Sequence, residues 1–282
     1  MTESAPLTMG TRIRLNQGPE MPMLGLGVWQ AGAGEATRRA VRWALDAGVR
    51  LIDTATLYGN ETEVGEAIRA SGLPREEVFV TTKLWWDAQG YEPAMRACRA
   101  SQERLGLGPI DLYLIHWPRA EPPRLRKETW RALERLQKDG VCRAVGVANY
   151  TTRHLEELTD GFDLVPAVNQ VEFHPMLFQL PLLEYCRSHR IQLEAYSPLG
   201  HGRLLTLPDV VRVATANGHT PAQVLIRWGL QHGVVEIPKS SRKEGILENL
   251  GALDFALTAA EMDRLDTLPG GTRTTMDPNE MP

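Results

Sequence analysis

The 282 residues carry 31 basic and 35 acidic side chains, a net charge of −4, with 43% hydrophobic content. That is enough apolar material for one sizeable core, and the charges are spread along the chain with no cationic stripe for a phosphodiester backbone. Nucleic acid is therefore not an expected partner, and with no run of about 18 apolar residues neither is a membrane. Three cysteines, Cys98, Cys142 and Cys186, are far apart and lack CxxC spacing, so neither a disulfide framework nor a metal site is expected. They suit a reducing cytoplasm, and the N-terminal MTESAPLTMG lacks the pattern of an export signal.

In chain order, Arg12–Leu15 and Met21–Met23 around Asn16-Gln17-Gly18-Pro19 predict a short hairpin. Eight β-type runs follow: Leu24–Trp29, Arg50–Asp53, Val78–Lys83, Asp111–His116, Ala144–Asn149, Val168–Glu172, Gln192–Tyr196 and Val234–Pro238. Between them lie helical faces spaced i, i+3, i+4, i+7, such as Ala40, Trp43, Ala44, Ala47, then Val64, Ala67, Ile68, Ser71, and Ala94, Ala97, Cys98, Ser101. Strands alternating with helices on this length predict an α/β fold, a closed (β/α)8 TIM barrel in a single domain over residues 1–282, with the hairpin plugging its lower end. Thr258 followed by Glu261 has the spacing of a capping box, which predicts a final helix to about Leu268. The stretch 269–282 reads as an irregular tail.

A barrel of this kind gathers its chemistry at the C-terminal strand ends. Those ends hold Trp29, Asp53, Lys83, His116, Asn149, Gln170, Tyr196 and Lys239, with Tyr58 just beyond the second. A phenol near pKa 10 is a poor acid at neutral pH; an ammonium such as that of Lys83 lowers it, and a carboxylate such as Asp53 keeps the buried amine charged. A neutral His116 can donate its N–H to a substrate oxygen. These four residues suit a carbonyl being reduced to an alkoxide. Two other readings stay open: a Schiff-base lyase using Lys83, which Asp53 opposes by keeping the amine protonated, and a structural Asp53–Lys83 ion pair. Gly25-Leu26-Gly27 does not start a dinucleotide fingerprint, because Gln30 stands where GxGxxG requires glycine.

The segments LIDTATLYGNE (51–61), TTKLW (81–85), DLYLIHWP (111–118), GVANY (146–150), NQVEFHP (169–175), AYSPLG (195–200) and IPKS (237–240) together resemble the aldo-keto reductase family, in its short-tailed bacterial branch. The resemblance implies an NADPH-dependent oxidoreductase that reduces aldehydes or ketones, with diketo sugar acids and 2-oxoaldehydes as candidate substrates. It also implies a catalytic tetrad of Asp53, Tyr58, Lys83 and His116, with Tyr58 as general acid. Asn149 and Gln170 would bind the nicotinamide carboxamide, Tyr196 would stack on its ring, and Ser197, Leu199 and Gly200 would line the pyrophosphate. Lys239, Ser240 and Arg242 would meet the adenosine 2′-phosphate, and Glu248 and Asn249 the adenine. Trp29, Trp85 and Trp117 would wall the substrate pocket. A monomer is the family default, and a cofactor-holding redox sensor with little turnover is the alternative within the family.

Two positions depart from the pattern. Ala148 stands where the family has serine, removing one hydrogen bond to the nicotinamide amide, worth on the order of 0.5–1.5 kcal/mol. Gly245 stands where an arginine commonly faces the adenosine phosphate, so NADPH is expected to be preferred over NADH by a reduced margin. Arg119 and Arg124, after His116, are candidates for attracting an anionic substrate. His154, His189, His219 and His232 read as solvated, His174 as a loop buttress, and Arg126-Lys127 as a solvated helix start.

Overall fold

The computed structural model describes residues 6–32, 34–118 and 123–280; Arg119 lies outside them. The chain opens on an antiparallel hairpin, β1 (Arg12–Arg14) and β2 (Glu20–Pro22). Eight parallel strands follow: β3 (Leu26–Gly27), β4 (Leu51–Asp53), β5 (Phe79–Leu84), β6 (Ile110–Ile115), β7 (Cys142–Ala148), β8 (Val168–Glu172), β9 (Gln192–Tyr196) and β10 (Val235–Glu236). Each bonds to the next in sequence order. The two ends of this sheet meet, because Leu24 pairs in parallel with Glu236 and Gly27 with Lys239. The result is the (β/α)8 barrel expected from the alternation.

The closing seam is shorter than the runs Leu24–Trp29 and Val234–Pro238 suggested. Pro238 has no N–H to give to a ladder. The backbones also approach too closely for a side chain at Gly27, where a Cβ would lie 2.9 Å from the Ile237 carbonyl oxygen. Single bonds therefore hold the seam, including Gly25 N–H to Glu236 O at 2.8 Å and Glu236 N–H to Met23 O at 2.9 Å.

Around the barrel run α1 (Glu35–Asp46), α2 (Glu61–Ala70), α3 (Tyr91–Leu105), α4 (Pro123–Lys138), α5 (Thr152–Thr159), α6 (Leu180–Ser188), the pair α7 (Pro208–Asn217) and α8 (Pro221–Gln231), and α9 (Lys243–Leu250). The buried stripe of α1 is Thr37, Ala40, Val41, Ala44 and Leu45, so the expected Trp43 and Ala47 sit at its edge. The last helix, α10 (Ala259–Asp266), stops short of Leu268 but begins with the predicted capping box: Glu261 N–H reaches Thr258 Oγ1 at 3.3 Å, and Thr258 N–H reaches Glu261 Oε2 at 2.8 Å. Such a cap stabilises a helix by about 1 kcal/mol.

The hairpin closes the N-terminal end of the barrel. Leu15, Met21 and Met23 pack against Leu51, Phe79 and Val168, the first residues of their strands. The Gln17 amide fastens it, donating to Val145 O at 3.1 Å and Val165 O at 2.8 Å and accepting from Val145 N–H at 2.9 Å. The mouth is thus left as the open end. Two side chains expected in solvent are instead buried: Arg126 ties α4 to α5 through Glu157 Oε2 at 2.5 Å, and His154 reciprocates the Thr151 cap of α5. Burial brings the His154 imidazole down to about 4. Among the described residues no helix is long and apolar enough to cross a membrane.

Candidate active site

Asp53 ends β4 and Lys83 lies one residue before the end of β5, in adjacent paired strands whose side chains at these positions turn inward. Lys83 Nζ donates to Asp53 Oδ1 at 2.6 Å and to the Thr54 carbonyl at 2.9 Å, with no exposed surface of its own. Tyr58 sits on the short turn Thr56–Tyr58, which Gly59 terminates at φ 65°. Asn60 pins this turn by accepting from Thr54 Oγ1 at 2.6 Å and donating to Val28 O at 3.1 Å. The phenol is thereby brought to 3.5 Å from Lys83 Nζ. His116 follows β6, its N–H bonded to Leu84 O at 3.1 Å, and its ring meets Tyr58 edge-on at 5.7 Å and Trp85 at 5.2 Å. The four residues expected to act together are therefore in one cluster at the mouth.

The electrostatics correct one expectation. Burial raises the Tyr58 hydroxyl above its ordinary value, and the opposing pull of Lys83 does not cancel it. Desolvation weakens the Lys83 ammonium, but Asp53 and Tyr58 together outweigh that loss and raise its pKa. Burial, with Lys83 second, depresses His116 well below the usual imidazole range, so the ring is neutral as expected. The held ammonium also disfavours Schiff-base chemistry at Lys83.

Beneath and beside this cluster lie the expected Gln170, Asn149, Tyr196 and Ser197, together with Glu194 and a piece of the tail, which sequence reasoning did not single out. Gln170 Nε2 donates to both Asp53 Oδ2 and Glu194 Oε2 at 2.8 Å, so a buried second carboxyl sits under the first. Asn149, at φ 64°, donates to the His116 carbonyl at 2.9 Å and accepts from Tyr196 OH at 2.7 Å. Ser197 also has a positive φ, 51°, so two strand ends at the mouth hold non-glycine residues in the left-handed region. Ala148 is fully buried and offers no hydroxyl. The tail read as merely irregular returns to the site: Thr274, Thr275 and Met276 line it, and Tyr196 OH lies 2.9 Å from Thr275 Oγ1.

The mouth opens into a cavity of about 330 Å³ lined by Asp53, Tyr58, His116, Asn149, Gln170 and Tyr196, with Trp29, Leu57, Trp85, Trp117 and Met276 as apolar walls. Lys239 is shared between this cavity and two clefts. One cleft runs past Ser197 and Leu199; the other is lined by Leu199, Ser240, Arg242, Gly245, Glu248 and Asn249. The expected cofactor residues thus follow one continuous groove from Tyr58 to Asn249. Gly200 is the exception, buried at φ 54° against Leu204, where it turns the chain instead of facing the groove. Arg124 pairs with Glu128 at 3.3 Å and does not line the cavity.

The aldo/keto reductase family model matches residues 23–269. Glyoxal reductase of Bacillus subtilis (strain 168) is 46% identical over 276 residues, covering 98% of this chain and 99% of that protein. Among solved structures, MGS-M4, an aldo-keto reductase from a Medee basin deep-sea metagenome library, superposes with a TM-score of 0.92 at 40% identity, covering 96% of this chain and all of that one. A D53A mutant of Gox0644 in complex with NADPH superposes with a TM-score of 0.90 at 39% identity, covering 99% of this chain and 100% of that one. The chain belongs to the aldo/keto reductase family and is an NAD(P)H-dependent carbonyl reductase.

Proposed function

We propose that this protein uses NADPH to reduce aldehydes and ketones, with Tyr58 giving its proton to the carbonyl oxygen. The observation that carries the reading is the placement of Lys83 Nζ, 2.6 Å from Asp53 Oδ1 and 3.5 Å from Tyr58 OH, at the base of an apolar cavity. When bound, the reduced nicotinamide supplies the hydride. Burial keeps Tyr58 protonated at neutral pH, so the acid is loaded, and the Lys83 ammonium stabilises the phenolate left after proton transfer. Neutral His116 donates to the same carbonyl oxygen and orients it.

The groove fits the dinucleotide. Gln170 and Asn149 both line the mouth, and because Gln170 Nε2 spends its hydrogens on Asp53 and Glu194, its oxygen is left for a carboxamide. Tyr196 lies beside them for the ring, and Ser197 and Leu199 lie along the pyrophosphate path. Lys239, Ser240 and Arg242 supply two cations and a hydroxyl for a 2′-phosphate, with Glu248 and Asn249 beyond for adenine. The NADPH complex of the Gox0644 mutant supports the phosphorylated cofactor. Small dicarbonyls such as 2-oxoaldehydes are the favoured substrates over diketo sugar acids: the walls are Trp29, Trp85 and Trp117, and the Bacillus relative is named a glyoxal reductase. A cytoplasmic monomer, folded as one domain over residues 1–282, completes the reading.

Tyr58→Phe tests it. Carbonyl-dependent NADPH oxidation should fall on the order of 10²–10⁴-fold, the range for removing a general acid, while NADPH still binds. Near-normal turnover in that variant would end the proposal.

A further inference from the structure

Glu194 has no part in the reading above. It lies on β9, fully buried, with its side chain turned into the barrel under the mouth. Its Oε2 accepts from Gln170 Nε2 at 2.8 Å, and that same nitrogen gives its other hydrogen to Asp53 Oδ2 at 2.8 Å. An amide nitrogen has two hydrogens, so both are engaged. Turning the amide over would set its oxygen against the Asp53 carboxylate and would lose the bond now given to Glu194 Oε2. Glu194 therefore helps decide which atom of Gln170 the mouth sees.

Four ionisable groups surround this carboxyl: Asp53 from β4, Lys83 from β5, Tyr58 from its turn and Glu236 from β10. Glu194 Oε1 has no partner among the described residues. Burial, reinforced by Asp53, pushes the Glu194 carboxyl up to about 8. At neutral pH it is a neutral acid that holds Gln170 without adding charge; once ionised, it raises the Tyr58 pKa further.

We propose that Glu194 is a positioning residue: through the shared Gln170 amide it fixes the face offered to the nicotinamide carboxamide, and its ionisation places a second negative charge beside the Asp53–Lys83 pair and slows proton donation from Tyr58. The inference rests on the cofactor and acid assignments under the proposed function.

The test measures NADPH affinity by quenching of tryptophan fluorescence, and the single-turnover rate of NADPH oxidation from pH 6 to pH 9.5, in wild type, Glu194→Gln and Glu194→Leu. Glu194→Gln keeps an acceptor in place and has no proton to lose. Wild type should decline in rate through about pH 8; the Glu194→Gln Kd should stay within twofold of wild type, and its rate should lack that decline. Glu194→Leu removes the acceptor; its Kd should rise about tenfold at pH 7 with the melting temperature maintained. Wild-type affinity in Glu194→Leu overturns the positioning role, and an unchanged decline in Glu194→Gln overturns the charge effect. If wild type itself binds no NADPH, the cofactor reading fails and this proposal falls with it; if wild type binds and the variants match it, only this proposal falls.

Discussion

The carboxylate of Glu172 holds Thr274 twice, accepting its backbone N–H at 2.7 Å and its hydroxyl at 2.5 Å on the same oxygen. The other oxygen takes the N–H and hydroxyl of Thr275 at 3.2 and 2.8 Å, and His174 adds a contact at 3.1 Å. Glu172 ends the strand that carries Gln170, so this anchor fastens the tail directly over the mouth. Burial acts against the charge, but the donors from His174, Thr274 and Thr275 bring the carboxyl down to about 2.

The folded pKa of Glu172 is lowered, so its contribution is full above the ordinary carboxylate value of 4.5 and is lost only as pH falls through about 2. Glu172→Gln should therefore release the tail throughout the neutral range. We expect KM for carbonyl substrates to rise about tenfold, roughly 1.4 kcal/mol, with kcat changed less. Limited trypsin treatment should cut after Arg273 in the variant before it does so in wild type. Equal cutting rates and an unchanged KM would show that the tail is held by other contacts.

Sequence pattern located the barrel because short β-type runs alternate with helical periodicity along the chain: Val168–Glu172 and Gln192–Tyr196 appear residue for residue. It also placed Asp53, Lys83 and His116 at strand ends, where the structure brings them together with Tyr58. What it missed depends on contacts between distant segments. Nothing in the irregular tail announces that Thr274 is bonded to a carboxylate 102 positions away. Arg126 and His154 look like solvated helix residues until α5 packs over α4. The Tyr58 expectation erred similarly: its ammonium neighbour was readable from strand order, whereas the burial that outweighs it was not.

Gly245 on α9 faces Ser240, and a Cβ there would lie 2.6 Å from the Ser240 hydroxyl oxygen. That oxygen donates to Arg242 O at 3.1 Å and accepts from Arg242 N–H at 3.3 Å, a local turn that a rotating hydroxyl can yield. Gly245→Arg adds a third cation to the cleft of Lys239 and Arg242. The ratio of kcat/KM for NADPH over NADH should rise about tenfold, on the order of one charge-assisted hydrogen bond. A ratio that stays level would place the 2′-phosphate elsewhere.

Lys83 and Asp53 are both buried, so removing one partner leaves an uncompensated charge. Lys83→Met should cost about 3–5 kcal/mol of stability, the range for breaking a buried pair from one side. Adding Asp53→Asn should restore much of it while leaving carbonyl reduction lost. Denaturant unfolding of the single and double variants gives the comparison. Equal destabilisation in both would mean that packing, not charge, fixes this pair.

Glu236 is a further buried carboxyl, and neither of its oxygens has a hydrogen-bond partner among the described residues. It points at Gly229 of α8, where an added Cβ would lie 1.6 Å from Glu236 Oε1, so the missing side chain makes its room. Burial, with Glu194 second, raises its pKa well above the ordinary value. The sign follows from proton counts. Below about pH 4.5 both folded and unfolded chains carry the proton; above it the unfolded chain releases the proton first, so stability falls as pH rises toward the folded pKa. Glu236→Leu removes both the unpaired carboxyl and this proton linkage. Its gain in melting temperature over wild type should be larger at pH 8 than at pH 5, by about 3 °C or more, a shift that corresponds to roughly 1 kcal/mol in a domain of this size. An identical gain at both pH values would mean that Glu236 does not hold its proton in the folded state.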